Sequence, residues 1–91
     1  MTEMKMEDLV KREIAEALGR DPEELGRDAW LKRDLGVESI DLIDLTFRFE
    51  KALGKPLPEQ EIFRSTRPDG DLTIGELVSA LEAVKDSTPS S

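Results

Sequence analysis

The sequence predicts an all-α fold, a small four-helix bundle of three main helices and one short one. Apolar residues recur at helical spacing in three segments, each segment is bounded by residues that start or stop helices, and no segment alternates like a strand. The first segment sets Met6, Leu9, Val10, Ile14, Ala17 and Leu18 on one stripe, and Gly19 offers a left-handed cap at its end. Residues 20–38 read as a long ordered loop with one helical turn. In that turn Asp21 is the cap, Pro22 takes the first position, and Glu23 and Glu24 face the positive end of the local dipole. Trp30, Leu31, Leu35 and Val37 are expected to peg this loop to the core, because a loop of such length without apolar anchors is mobile. The second helix is predicted over Ser39–Leu53. It closes at Gly54, and Lys55-Pro56-Leu57-Pro58 prevents continuation. Pro58 then opens a short third helix to Phe63. Past a loop containing Arg67-Pro68-Asp69-Gly70, Thr73 and Glu76 form a capping box for a fourth helix, whose Ile74, Leu77, Val78, Leu81 and Val84 give its buried stripe.

Composition bounds the chemistry. A chain of 91 residues is room for one small domain, expected over residues 1–86, with 87–91 as a polar, flexible tail. The absence of cysteine and histidine excludes disulfides, thiolate nucleophiles, imidazole bases and the common zinc sites. With 13 basic and 21 acidic side chains the net charge is −8, and every third of the chain is net acidic. Nucleic-acid binding needs a basic stripe to displace counterions, and none is present; partners with basic surfaces are expected instead. No apolar run is long enough for a signal peptide or a membrane span, so a cytoplasmic monomer without membrane insertion is the expectation.

The second helix carries more apolar residues than a bundle helix needs. On a helical wheel Leu42, Leu45, Thr46, Phe49, Ala52 and Leu53 cluster within about 120° and form the core side. Ile40, Ile43 and Phe47 lie roughly opposite, and Glu38, Asp41 and Asp44 form an acidic stripe. Two readings compete. In one, neighbouring elements cover the second apolar group, and Asp44 merely pairs with Arg48 four residues on. In the other, the apolar ridge provides docking area and its acidic border steers partners. Exposed ion pairs stabilise by only about 0 to 1 kcal/mol, so stability gives little reason to stack three carboxylates, and the docking reading is favoured.

Ser39 heads this helix. Serine is a favoured N-cap, and that structural role is the competing account of it. As a nucleophile it has no histidine to complete a triad, and although a surface lysine is a conceivable base, nothing in the spacing points to one. Ser39 is thus better placed to be modified than to attack. The run Leu35-Gly36-Val37-Glu38-Ser39-Ile40-Asp41 resembles the acyl carrier protein motif, in which a Leu-Gly-x-Asp-Ser-Leu-Asp run presents the serine that receives 4′-phosphopantetheine. The order of helices and turns over about residues 4 to 85 is similar to that family's too. The resemblance implies an acyl-carrier bundle and a carrier rather than an enzyme. Ser39 would be the attachment site, and acyl groups would be held as thioesters on the arm's thiol. It further implies that Glu38, Ile40, Asp41, Ile43, Asp44 and Phe47 serve partner recognition. The partners implied are a phosphopantetheinyl transferase and acyl-loading and acyl-processing enzymes with basic docking surfaces, in fatty acid, polyketide or specialised lipid synthesis. Glu38 and Ile40 depart from the commonest Asp and Leu beside the serine, and the loop Arg64–Leu72 is longer than usual.

Three other readings share parts of this pattern. An aminoacyl, peptidyl or D-alanyl carrier would use the same serine and bundle, but Gly36-Val37-Glu38-Ser39 departs from the usual peptidyl-carrier run. An acidic helical interaction module would leave Ser39 a mere cap. A calcium loop at Asp69–Ile74 fails at essential positions: Arg67 takes the first position, Leu72 that of the glycine, and Val78 that of the bidentate glutamate.

Overall fold

The computed structural model describes residues 5–86. Helix α1 (Met6–Leu18) turns Met6, Leu9, Val10, Ile14 and Ala15 inward, and Gly19 ends it in the left-handed region, its N–H returning to the Ala15 carbonyl. A single 3₁₀ turn, Pro22–Glu24, follows, with the Asp21 carboxylate accepting the Glu23 N–H at 3.0 Å as expected of its cap. Helix α2 spans Ser39–Leu53 and closes at Gly54. Helix α3 covers only Glu59–Ile62: Pro58 is its N-cap with extended backbone and not its first residue, so the helix starts one position later than the sequence implied. Helix α4, Ile74–Asp86, begins with the reciprocal bonds of a capping box, Glu76 N–H to Thr73 Oγ1 at 3.2 Å and Thr73 N–H to Glu76 Oε1 at 3.0 Å. Among the described residues there is no strand, only an isolated bridge between Trp30 and Thr73. The tail expected at 87–91 lies outside the described residues.

Helix α1 packs on both α2 and α4, and α3 links α2 to α4. The shared core holds Val10 and Ile14, Leu45 and Phe49, Ile62, and Ile74, Leu77 and Leu81, all essentially sealed from water. Each such side chain contributes about 1.5 to 3 kcal/mol through burial, which makes this centre the chief source of stability.

The long loop is ordered from within. Leu31, Leu35 and Val37 are buried as expected, and Leu25 joins them although no periodic signal marks it. Trp30 does not serve as a core peg. It is half-buried, with the guanidinium groups of Arg33 and Arg67 stacked 4.7 and 4.6 Å from the ring centroid. The negative face of the indole attracts cations, and the rim supplies two of them where the aliphatic centre supplies none. Ala52, assigned to the core arc of α2, is exposed instead. It sits at the margin of that arc and lines the shallow groove between α1 and α2, beside Arg12, Glu16 and Lys51.

Candidate functional site: the start of the second helix

The approach to α2 is set by a turn before it is set by the helix. Gly36 adopts φ 68°, a backbone that side chains rarely tolerate, and donates its N–H to the Lys32 carbonyl at 3.0 Å. The Val37 N–H then bonds the Leu31 carbonyl at 2.9 Å while the Val37 side chain drops into the core. Only Glu38 separates this anchor from Ser39.

The N-cap is Glu38, not Ser39. Its backbone is extended, the Asp41 carboxylate accepts its N–H at 2.9 Å, and its own side chain turns back to the Asp41 N–H in the reciprocal arrangement of a capping box. Serine is the better intrinsic cap, but the Gly36–Val37 turn delivers the chain one residue early, so Ser39 enters as the first helical residue. The Glu38-x-x-Asp41 spacing is the only trace of this in the sequence. The consequence for Ser39 is freedom. It is exposed, and its hydroxyl makes no hydrogen bond among the described residues.

The ridge is bare. Ile40, Ile43 and Phe47 are 72%, 48% and 65% exposed, the large apolar side chains most open to water among the described residues, whereas Phe49 is 0% exposed. Neighbouring elements therefore do not cover the second apolar group. The carboxylates beside it differ from one another. Glu38 is exposed, and Asp41 is half-buried and committed to the cap. Asp44 is exposed and takes the Arg48 Nε–H at 2.9 Å, and this hydrogen bond holds the Arg48 pKa above even its high ordinary value. Arg48 reaches across to Glu16 and Glu13 on α1 at 3.5 and 3.7 Å, so the Asp44–Arg48 pairing is part of a network tying α2 to α1.

Ser39 is exposed, which leaves its hydroxyl open to a bulky substituent such as a phosphodiester. An anion at the first residue of a helix meets its unpaired N–H groups and the positive end of its dipole.

One region that braces the loop before Ser39 left little signal in the sequence. The Asp71 carboxylate is 1% exposed and accepts the N–H groups of Lys32, Arg33 and Leu72 at 2.8, 3.0 and 2.9 Å. The Asp69–Asp71 segment, weighed above as a calcium loop, thus serves the loop that precedes Ser39.

The family model described as the phosphopantetheine attachment site matches residues 8–70, a span that includes Ser39. An acyl carrier protein of Thermotoga maritima is 34% identical over 73 residues, which cover 80% of this chain and 83% of that protein. The chain belongs to the acyl carrier protein family and is a non-catalytic carrier of phosphopantetheine.

Proposed function

We propose that Ser39 is the residue that bears the 4′-phosphopantetheine arm, and that the protein shuttles acyl thioesters between the enzymes of a cytoplasmic pathway of fatty acid, polyketide or specialised lipid synthesis. The observation that carries this is the exposed hydroxyl of Ser39, left uncommitted at the first position of α2 because Glu38 and Asp41 do the capping. The attached arm supplies the terminal thiol that the cysteine-free chain lacks, and acyl groups are held on it as thioesters. Thioester transfer then needs access to an enzyme, and the chain's own residues contribute that access.

Ile40, Ile43 and Phe47 offer apolar contact area immediately beside Ser39, and Glu38 and Asp44 add negative charge at its border. Partners with basic docking surfaces fit this pattern, with steering that raises encounter rates and weakens with salt. A shuttle requires fast arrival and modest affinity. The run Gly36-Val37-Glu38-Ser39 and the acidic balance of the chain favour acyl over aminoacyl or peptidyl cargo.

The test is intact mass after incubation with a phosphopantetheinyl transferase, coenzyme A and Mg²⁺. The parent protein gains one arm and Ser39→Ala gains none. Modification of Ser39→Ala, or failure of the parent with several transferases, overturns the assignment.

A further inference from the structure

Ser39 is reached through residues 31–38, a segment without regular secondary structure, so its position depends on what holds that segment. Two independent features do so, and both come from the loop between α3 and α4. The first is the buried Asp71 carboxylate, whose Oδ1 accepts the Lys32 and Leu72 N–H groups and whose Oδ2 accepts that of Arg33. The second is the stack in which Arg33 and Arg67 enclose Trp30, joining a side chain of each loop across one ring. The supporting loop is itself braced. The Ser65 hydroxyl donates to the Asp71 carbonyl at 2.6 Å, and Asp69 Oδ1 accepts the Asp71 N–H at 3.0 Å. The Leu31 N–H also bonds the Leu72 carbonyl at 2.9 Å, and the Leu31 carbonyl in turn accepts the Val37 N–H.

We infer that Asp71 is a positioning residue for attachment of the arm, acting through the Lys32 and Arg33 N–H groups and the Leu31–Val37 bond to set the place of Ser39. This rests on the reading of Ser39 as the acceptor. A carboxylate suits the task because all its lone pairs accept and it carries no donor, so converging N–H groups are all satisfied at charge-assisted strength. An asparagine keeps one acceptor oxygen and turns an NH₂ toward the other N–H. Asp71 touches neither α2 nor the ridge among its hydrogen-bond partners, so its loss should spare docking and harm alignment.

The experiment compares the parent with Asp71→Asn, Asp71→Ala and the remote core variant Ile14→Val, at a temperature where circular dichroism shows each folded. In transferase kinetics with coenzyme A and Mg²⁺, Asp71→Asn should lower kcat on the order of 10-fold, a partial misplacement of the reacting hydroxyl. KM for the carrier should stay within about two-fold. Ile14→Val should change neither, which separates alignment from general destabilisation. Amide exchange over residues 37–41 should quicken in Asp71→Asn and not in Ile14→Val. An Asp71→Asn protein whose kcat stays within about two-fold of the parent's overturns the inference. If Asp71→Ala does not fold, the asparagine variant decides alone. A parent that accepts no arm overturns the Ser39 reading instead, and unchanged exchange over 37–41 in Asp71→Asn then overturns the positioning role separately.

Discussion

The two faces of α2 are built from the same kinds of side chain and meet opposite fates. Leu45 and Phe49 are sealed in the core, while Ile40, Ile43 and Phe47 stand in water. Phe47 and Phe49 are two residues apart on one helix, so neither composition nor local propensity separates them. Packing does: α1 and α3 close on one side of α2, and nothing among the described residues covers the other. Apolar area left bare costs solubility and gives no stability in return. A contiguous ridge beside Ser39 fits the docking role proposed for it.

The sharpest way to break this contrast is to truncate both rings. Phe49→Ala should lose about 3 to 5 kcal/mol, and Phe47→Ala less than about 0.5 kcal/mol, in denaturant melts. In acyl-transfer assays the folded Phe47→Ala protein should be slow. Equal destabilisation by the two would assign the ridge to the core.

The carboxylates divide in the same manner, with a smaller effect. Asp41→Ala removes the reciprocal cap and should cost about 1 kcal/mol, so a loading defect at Asp41 mixes stability with recognition. Asp44→Ala breaks a half-exposed pair with Arg48 and should cost less than about 0.5 kcal/mol. Chemical denaturation ranks them, and an Asp44 loss exceeding that of Asp41 contradicts the division.

Salt should separate steering from contact. The Asp44→Lys defect in loading rate is expected to be largest in dilute buffer and to fade near 1 M salt, where screening acts over about 3 Å. The Phe47→Ala defect should persist there, and loading kinetics across a salt series distinguish the two.

The smallest effect concerns the cap of α4, a counterpart to that of α2. Arg67 grips Glu76 at 2.7 and 2.6 Å and, with the Thr73 N–H, holds its carboxyl below the usual range. A carboxylate with a lowered folded-state pKa contributes stability that is present above its ordinary value of 4.5 and lost as pH falls through the folded value. Because the pair is half-exposed, solvent screening keeps that contribution small. Thermal melts of the parent and Glu76→Gln should differ at pH 6 and converge toward pH 3; a constant gap would deny Glu76 this role.

Periodicity made α1, α2 and α4 legible, because a stripe of apolar residues at helical spacing has one stable use, and Gly19 and Gly54 then mark where two of those helices stop. The Leu35–Asp41 run was legible as a carrier motif on residue identity alone. Trp30 misled for the opposite reason: a large aromatic ring reads as core unless its cationic neighbours are known, and Arg67 is distant in sequence.

The sequence by itself determined the helical class, the element order, the acidic balance, the lack of cysteine and histidine, and the place of Ser39 at the head of a helix. Those properties depend on composition and on spacings of a few residues. Only the tertiary structure decided that Glu38 takes the cap and frees the serine, that the ridge stays bare, and that Asp71 braces a loop 39 positions earlier at Lys32. Each of these is settled by which neighbours compete for a backbone N–H or an apolar face. That competition is resolved only when distant segments meet.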